Sequence, residues 1–153
     1  MKKLFAVLVA LTLVLSMGTM AFAADTGSIT ISNALKDAKY DVFKMLDFAP
    51  SNTAGDKGVY TALKDWENFF KDAPATNYFS YTEVDSGTDN ARITVALKDG
   101  VTSVDQTLAK AAIAYAAKNQ IKATATQTPS KDGAITFTGL DLGYYAIDTT
   151  VGT

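Results

Sequence analysis

Residues 40–48 read YDVFKMLDF. Nine residues pass without glycine or proline, and the stretch is rich in aromatic and aliphatic side chains. Loop chemistry follows at once in Ala49-Pro50-Ser51-Asn52-Thr53-Ala54-Gly55-Asp56-Lys57-Gly58. This is the longest strand candidate in the chain. Alternate residues of a strand share a face. One face would carry Tyr40, Val42, Lys44, Leu46 and Phe48, and the other Asp41, Phe43, Met45 and Asp47. Lys44 then stands at the centre of the more apolar face. A lysine aimed into a core is costly as a cation, because desolvation disfavours the charged form. As a neutral amine it would be a nucleophile. The plainer alternative is a structural lysine that snorkels to the sheet edge or pairs with a carboxylate. The pattern leaves both open.

Working outward, most of the chain repeats the two-residue period. Ile29-Thr30-Ile31 puts two isoleucines on one face. Val59-Tyr60 begins a short strand, and Tyr78 to Val84 is aromatic and hydroxyl-rich. Arg92 to Leu97 alternates cleanly, with Ile93, Val95 and Leu97 facing in and Lys98-Asp99-Gly100 as the turn after it. Lys122 to Thr128 reads as a strand ending at Pro129. Ile135 to Phe137, a Gly139-to-Gly143 turn and Tyr144 to Val151 read as strand, turn, strand.

Two segments break that period. Leu63, Trp66, Phe69 and Phe70 recur at helical spacing, which predicts a short helix over Ala62–Asp72 stopped by Pro74. Ser103 and Gln106 form a capping-box pattern. Val104, Leu108, Ala111, Ala112 and Tyr115 then make one apolar stripe on a second, alanine-rich helix. The expected architecture is a mainly β, mostly antiparallel β-sandwich with two short helices inserted between strands.

The chain has 153 residues, no cysteine and no histidine. Without histidine it lacks the usual general base at neutral pH, the commonest zinc ligand and any Ser-His or Cys-His mechanism. Asp85-Ser86-Gly87-Thr88-Asp89-Asn90 is the nearest approach to a calcium loop, and it reads as a turn between strands. No cofactor is expected. Asp41 and Asp47 share a strand face as paired carboxylates could in a glycosidase, but no other catalytic signature accompanies them. The chain is not read as an enzyme.

The beginning has its own grammar. Lys2 and Lys3 precede an apolar run from Leu4 to Leu15, and Ala21-Phe22-Ala23 offers small residues where a signal peptidase reads. Residues 1–23 are expected to be a secretory signal peptide, cleaved between Ala23 and Ala24. The apolar run is shorter than the ~20 residues that span a bilayer, so no membrane contact is expected after cleavage. Losing Lys2 and Lys3 leaves 12 basic residues against 16 acidic ones, a net charge of −4. That balance argues against nucleic acid or an anionic membrane as a partner.

The order of these pieces carries a resemblance. A signal peptide, "GSITISNA", "YDVFKMLDF", an early helix with "WENFF", a later alanine-rich helix and "ITFTGLDLGYYAIDTTVGT" together resemble the N-terminal domain of a major pilin. Such pilins are the shaft subunits of sortase-assembled pili in Gram-positive bacteria. The most specific parts are Tyr-x-x-Phe-Lys and the later Phe-x-Gly-Leu-x-x-Gly-Tyr-Tyr, and the likeness covers nearly all of residues 24–153. It implies an immunoglobulin-like β-sandwich, secretion to the cell wall, and neighbouring pilin subunits and sortase as partners. It also implies an internal amide bond between a lysine and an asparagine or aspartate, promoted by a buried acid. Lys44 matches the family's first-strand lysine. The family often has a glutamate in or near the Gly-Tyr-Tyr strand; here the nearest acid is Asp148, which an exposed strand position would explain equally well. The acceptor asparagine, the pilin-motif lysine and the sorting signal have no counterpart in these residues. The resemblance therefore implies a piece of a longer pilin, cut before the strand that closes its first domain.

A second reading is a surface module. Tyr60, Tyr78, Tyr81, Tyr144 and Tyr145, with Phe79, could present an aromatic surface to a host glycan or protein. Alternating tyrosines also serve in core and cross-strand packing.

Overall fold

The computed structural model describes residues 26–51 and 57–149. The signal segment with its Ala23–Ala24 cleavage site, part of the loop after Pro50, and Thr150 and Val151 of the last expected strand lie outside the described residues. Among the described residues there are eight strands: β1 (Thr26–Ala34), β2 (Tyr40–Pro50), β3 (Gly58–Ala62), β4 (Phe79–Val84), β5 (Arg92–Leu97), β6 (Ala125–Gln127), β7 (Gly133–Asp141) and β8 (Gly143–Thr149). Among the same residues three α-helices accompany them: α1 (Glu67–Lys71), α2 (Ala75–Tyr78) and α3 (Gln106–Lys118). The fold is mainly β, in two sheets of antiparallel strands with a few short helices, as expected of a β-sandwich. One sheet pairs β1 with β7; the other runs β4-β5-β3-β2-β6, with β8 also paired to β2.

The chain forms two compact units. The described part of the first holds residues 26–43, 123–142 and 147–149. Its main feature is the β1–β7 ladder, in which Ile29 faces Phe137 and Ile31 faces Ile135. Ile29, Ile31, Ala34, Tyr40, Val42, Phe137 and Leu140 are buried there, each large aliphatic or aromatic group contributing roughly 1.5–3 kcal/mol. The ladder slips between the Gly27–Leu140 and Ile29–Phe137 pairs. That extra residue in β7 coincides with Gly139, whose φ is +67°. Such a conformation suits glycine and marks a bulge. This corrects the expected Gly139-to-Gly143 turn: β7 continues through Gly139 to Asp141, leaving only Leu142 between β7 and β8. The start of β2 pairs with β6 through Tyr40–Gln127, Asp41–Thr126 and Val42–Ala125. The Tyr40 hydroxyl accepts from the Leu35 amide at 2.8 Å. The strand expected over Lys122–Thr128 is thus only three residues long.

The second unit holds residues 44–122 and 143–146. Here β4, β5, β3 and the latter part of β2 make successive antiparallel pairs. Ile93 and Val95 of β5 are buried as expected, but Leu97 is 50 % exposed. The first expected helix is shorter than its pattern. Ala62 still pairs with Leu46, and the Leu63 amide donates to the Met45 carbonyl at 3.0 Å, so the ladder holds the backbone extended. A 3₁₀ turn over Lys64–Trp66 then leads into α1. α1 ends at Lys71, ahead of Pro74 as expected; Pro74 is in addition the N-cap of the single-turn α2, and β4 starts at Phe79 instead of Tyr78.

The cap of α3 also differs from the reading. Asp105, not Ser103, is the N-cap, and its carboxylate accepts from the Thr107 amide at 2.8 Å and the Leu108 amide at 3.3 Å. A carboxylate there satisfies orphan amides and meets the positive end of the helix dipole. The buried stripe is Leu108, Ala112 and Ala116, with Ala111 and Tyr115 at its flank. Against this helix lies a chain of rings. Tyr115 packs on Trp66 (5.5 Å between centroids) and Phe69 (5.4 Å), Phe69 on Phe70 (5.3 Å), Phe70 on Phe79 (5.5 Å) and Phe79 on Tyr144 (5.9 Å). Three of these contacts are edge-on, an arrangement the ring quadrupoles favour. The chain of rings ties α3, α1, β4 and the head of β8 into one core.

Candidate functional site

Lys44 sits in β2 between two stretches of pairing. Tyr40–Val42 pair with β6, and Leu46–Pro50 pair with β3. Around it Val42, Phe43, Met45 and Leu46 are all buried. The strand is covered on both faces here, and the division into an apolar and a mixed face gives way to a central, two-sided strand. The Lys44 side chain is 10 % exposed.

Two neighbours define its setting. The Lys44 ammonium makes an ion pair with the Asp47 carboxylate, whose side chain is 56 % exposed. Strand alternation alone would keep residues three apart on opposite faces, but the four-carbon lysine stem spans the difference. The second neighbour is Gly143, the first residue of β8. A Cβ built there would lie 2.8 Å from Lys44 Cε and would also run into the Leu46 carbonyl oxygen. The backbone of β8 can approach β2 this closely only because residue 143 has no side chain. The second glycine of Gly-Leu-x-x-Gly-Tyr-Tyr thus has a physical reason: the stem of Lys44 occupies its space.

Asp148 lies further along β8, half-buried, in the other compact unit. A carboxylate that meets Lys44 is Asp47, which the sequence pattern had placed only among paired carboxylates. Asp41 is engaged separately. Its side chain is 13 % exposed, it pairs with Lys39 Nζ at 2.7 Å, and it accepts from the Thr126 hydroxyl at 2.5 Å. Among the described residues no group of three or more carboxylates could hold a metal ion, and no helix is long and apolar enough to cross a membrane.

The six aromatic residues considered as a binding surface have different surroundings. Phe79 is buried in the chain of rings. Tyr144 is largely buried, and burial pushes its hydroxyl up to about 12. Burial also raises the pKa of Tyr60, which packs on Phe48 at 4.8 Å. Tyr78 donates its hydroxyl to Asp105. That bond raises the tyrosine and holds the Asp105 carboxyl below the usual carboxylate range. Tyr145 is half-buried, while Tyr81 is 41 % exposed on β4. Two contacts escaped the sequence: the Lys44–Asp47 pair and the Asp105 cap. An Asp directly ahead of the Thr-Leu run was a readable signal for the second.

Comparison with protein-family models, with curated proteins and with solved structures finds no match for this chain.

Proposed function

We propose that this chain is a structural subunit of a covalently polymerised cell-surface pilus, with Lys44 as the amine of an intramolecular amide bond. The observation that carries the reading is the setting of Lys44: a nearly buried amine on a central strand, its stem lying in the gap that Gly143 leaves at the head of β8. Both residues belong to the two motifs that resemble the pilin domain. In this reading the chain is exported, sits in the cell wall, and has neighbouring subunits and sortase as partners. The acceptor is an asparagine or aspartate side chain, and Asp148 is the family-implied assisting acid. An internal amide limits extension under tension and constrains the unfolded chain as a disulfide does, by a few kcal/mol, without being open to reduction. That suits a chain with no cysteine.

Intact-mass measurement of the full-length gene product, expressed without its signal segment, tests this. Joining lysine to asparagine releases ammonia, about 17 Da, and joining it to aspartate releases water, about 18 Da. The expected result is one of these losses, abolished by Lys44→Ala. A folded protein of unmodified mass would overturn the proposal.

A further inference from the structure

We infer that β1 is an interaction edge for a second copy of this chain, the two β1 strands pairing antiparallel about a two-fold axis at Thr30. Among the described residues β1 has one strand neighbour, β7. Alternate residues of an antiparallel strand turn their N–H and C=O groups away from that neighbour, so the far edge of β1 is a template for another strand. Proteins guard such edges with charges, with proline or by keeping the strand short. Other edges here are guarded: β6 has three residues, and β4 carries Glu83, paired with Lys71 at 2.8 Å. On β7 the Thr136 carbonyl accepts from the Gln127 side-chain amide at 2.8 Å. β1 runs for nine residues with neither a charge nor a proline.

The sequence of β1 points to its occupant. Residues 28–32 read Ser-Ile-Thr-Ile-Ser, the same in both directions. In an isologous contact residue i meets residue j and j meets i. Centred on Thr30, such a contact sets Ile29 against Ile31 of the second copy, Ser28 against Ser32, and Thr30 against itself. Like therefore meets like on both faces, and no charges oppose. Ile29 and Ile31 are buried, and they pair with Phe137 and Ile135 of β7; the contact extends those apolar rows from two strands to four. On the other face the Thr30 and Thr136 hydroxyls are hydrogen-bonded at 3.0 Å, and the two-fold continues that row through the threonines of the second copy. The β1–β7 register is regular across Ile29, Thr30 and Ile31 and slips on either side, so the regular stretch has the same centre as the palindrome. An isologous contact closes on itself. In a pilus it joins subunits side by side, and it does not depend on the chemistry of Lys44.

Sedimentation equilibrium of the full-length gene product, expressed without its signal segment, tests this over a concentration series. The expected result is a monomer–dimer equilibrium. Thr30→Lys sets two like charges against each other at the axis and should raise the dissociation constant about tenfold or more. A monomer at every concentration, or self-association indifferent to Thr30→Lys, overturns the inference. If Thr30→Lys does not fold, the register decides. Thr30→Cys should form a disulfide across the axis on mild oxidation, found by mass spectrometry as two copies of the tryptic peptide ending at Lys36 joined together. Ser28→Cys, which faces Ser32 of the second copy and not itself, should not. Equal cross-linking by the two variants, or none by Thr30→Cys, overturns the inference.

Discussion

Gly143 and Lys44 define each other at the scale of single residues. The Leu46 carbonyl is backbone and cannot move aside, so Gly143→Ala must push β8 away from β2 or displace the lysine stem. We expect Gly143→Ala to cost roughly 1–3 kcal/mol in urea unfolding, as overpacking does. Gly87→Ala, where nothing lies within 4 Å of the new Cβ and φ is +81°, should cost only the roughly 1–2 kcal/mol of a left-handed residue. Tyr144 offers a pH test. Its hydroxyl is pushed up to about 12 by burial, against 10 for a free tyrosine. The raised value means the fold favours the neutral phenol, so that stability is complete below pH 10 and is lost as pH rises from 10 towards about 12. The loss should be on the order of 2 kcal/mol, and Tyr144→Phe should remove that part of the alkaline slope. Lys44 was legible in the sequence because a charge inside an alternating apolar run stands out. Asp47 as its partner was not, because alternation describes where Cβ atoms point and not how far a long side chain reaches.

At the scale of elements, competition between neighbours decides where each begins. The helical spacing of Leu63, Trp66, Phe69 and Phe70 was real, since Trp66, Phe69 and Phe70 are buried together. Yet the β2–β3 ladder claims Ala62 and the Leu63 amide, and long-range pairing overrides local propensity. β5 was legible to the residue because Arg92–Leu97 alternates between clear turns. α3 was legible as a helix but not at its cap, which the capping-box pattern placed at Ser103, two residues ahead of the Asp105 that fills it. Asp105→Ala should therefore lower the unfolding midpoint measurably more than Ser103→Ala. Folding depresses the Asp105 carboxyl, chiefly through its bond to Tyr78. Its contribution is present above the ordinary aspartate value of 3.8 and disappears as pH falls through the lowered folded value. The difference between the two variants should accordingly fade in acid. Phe70, fully buried between Phe69 and Phe79, joins α1 to β4. Phe70→Ala should cost roughly 3–5 kcal/mol and Phe70→Leu markedly less.

For the whole molecule, the mainly β class followed from two-residue periodicity and turn chemistry repeated along the chain. The division into two compact units did not. It cuts β2 between Phe43 and Lys44, and β8 between Ala146 and Ile147, and no composition change marks either place. The central claim is that Lys44 is the amine of an internal amide, and trypsin reads this directly. Trypsin cuts after a free lysine, so an unmodified chain yields the linear peptides Tyr40–Lys44 and Met45–Lys57. In the full-length gene product, denatured and digested, we predict that Lys44 resists cleavage and that fragmentation finds Tyr40–Lys57 joined at Lys44 to a second peptide. Linear Tyr40–Lys44 in yield equal to its neighbours would contradict the account and leave Lys44 a structural partner of Asp47.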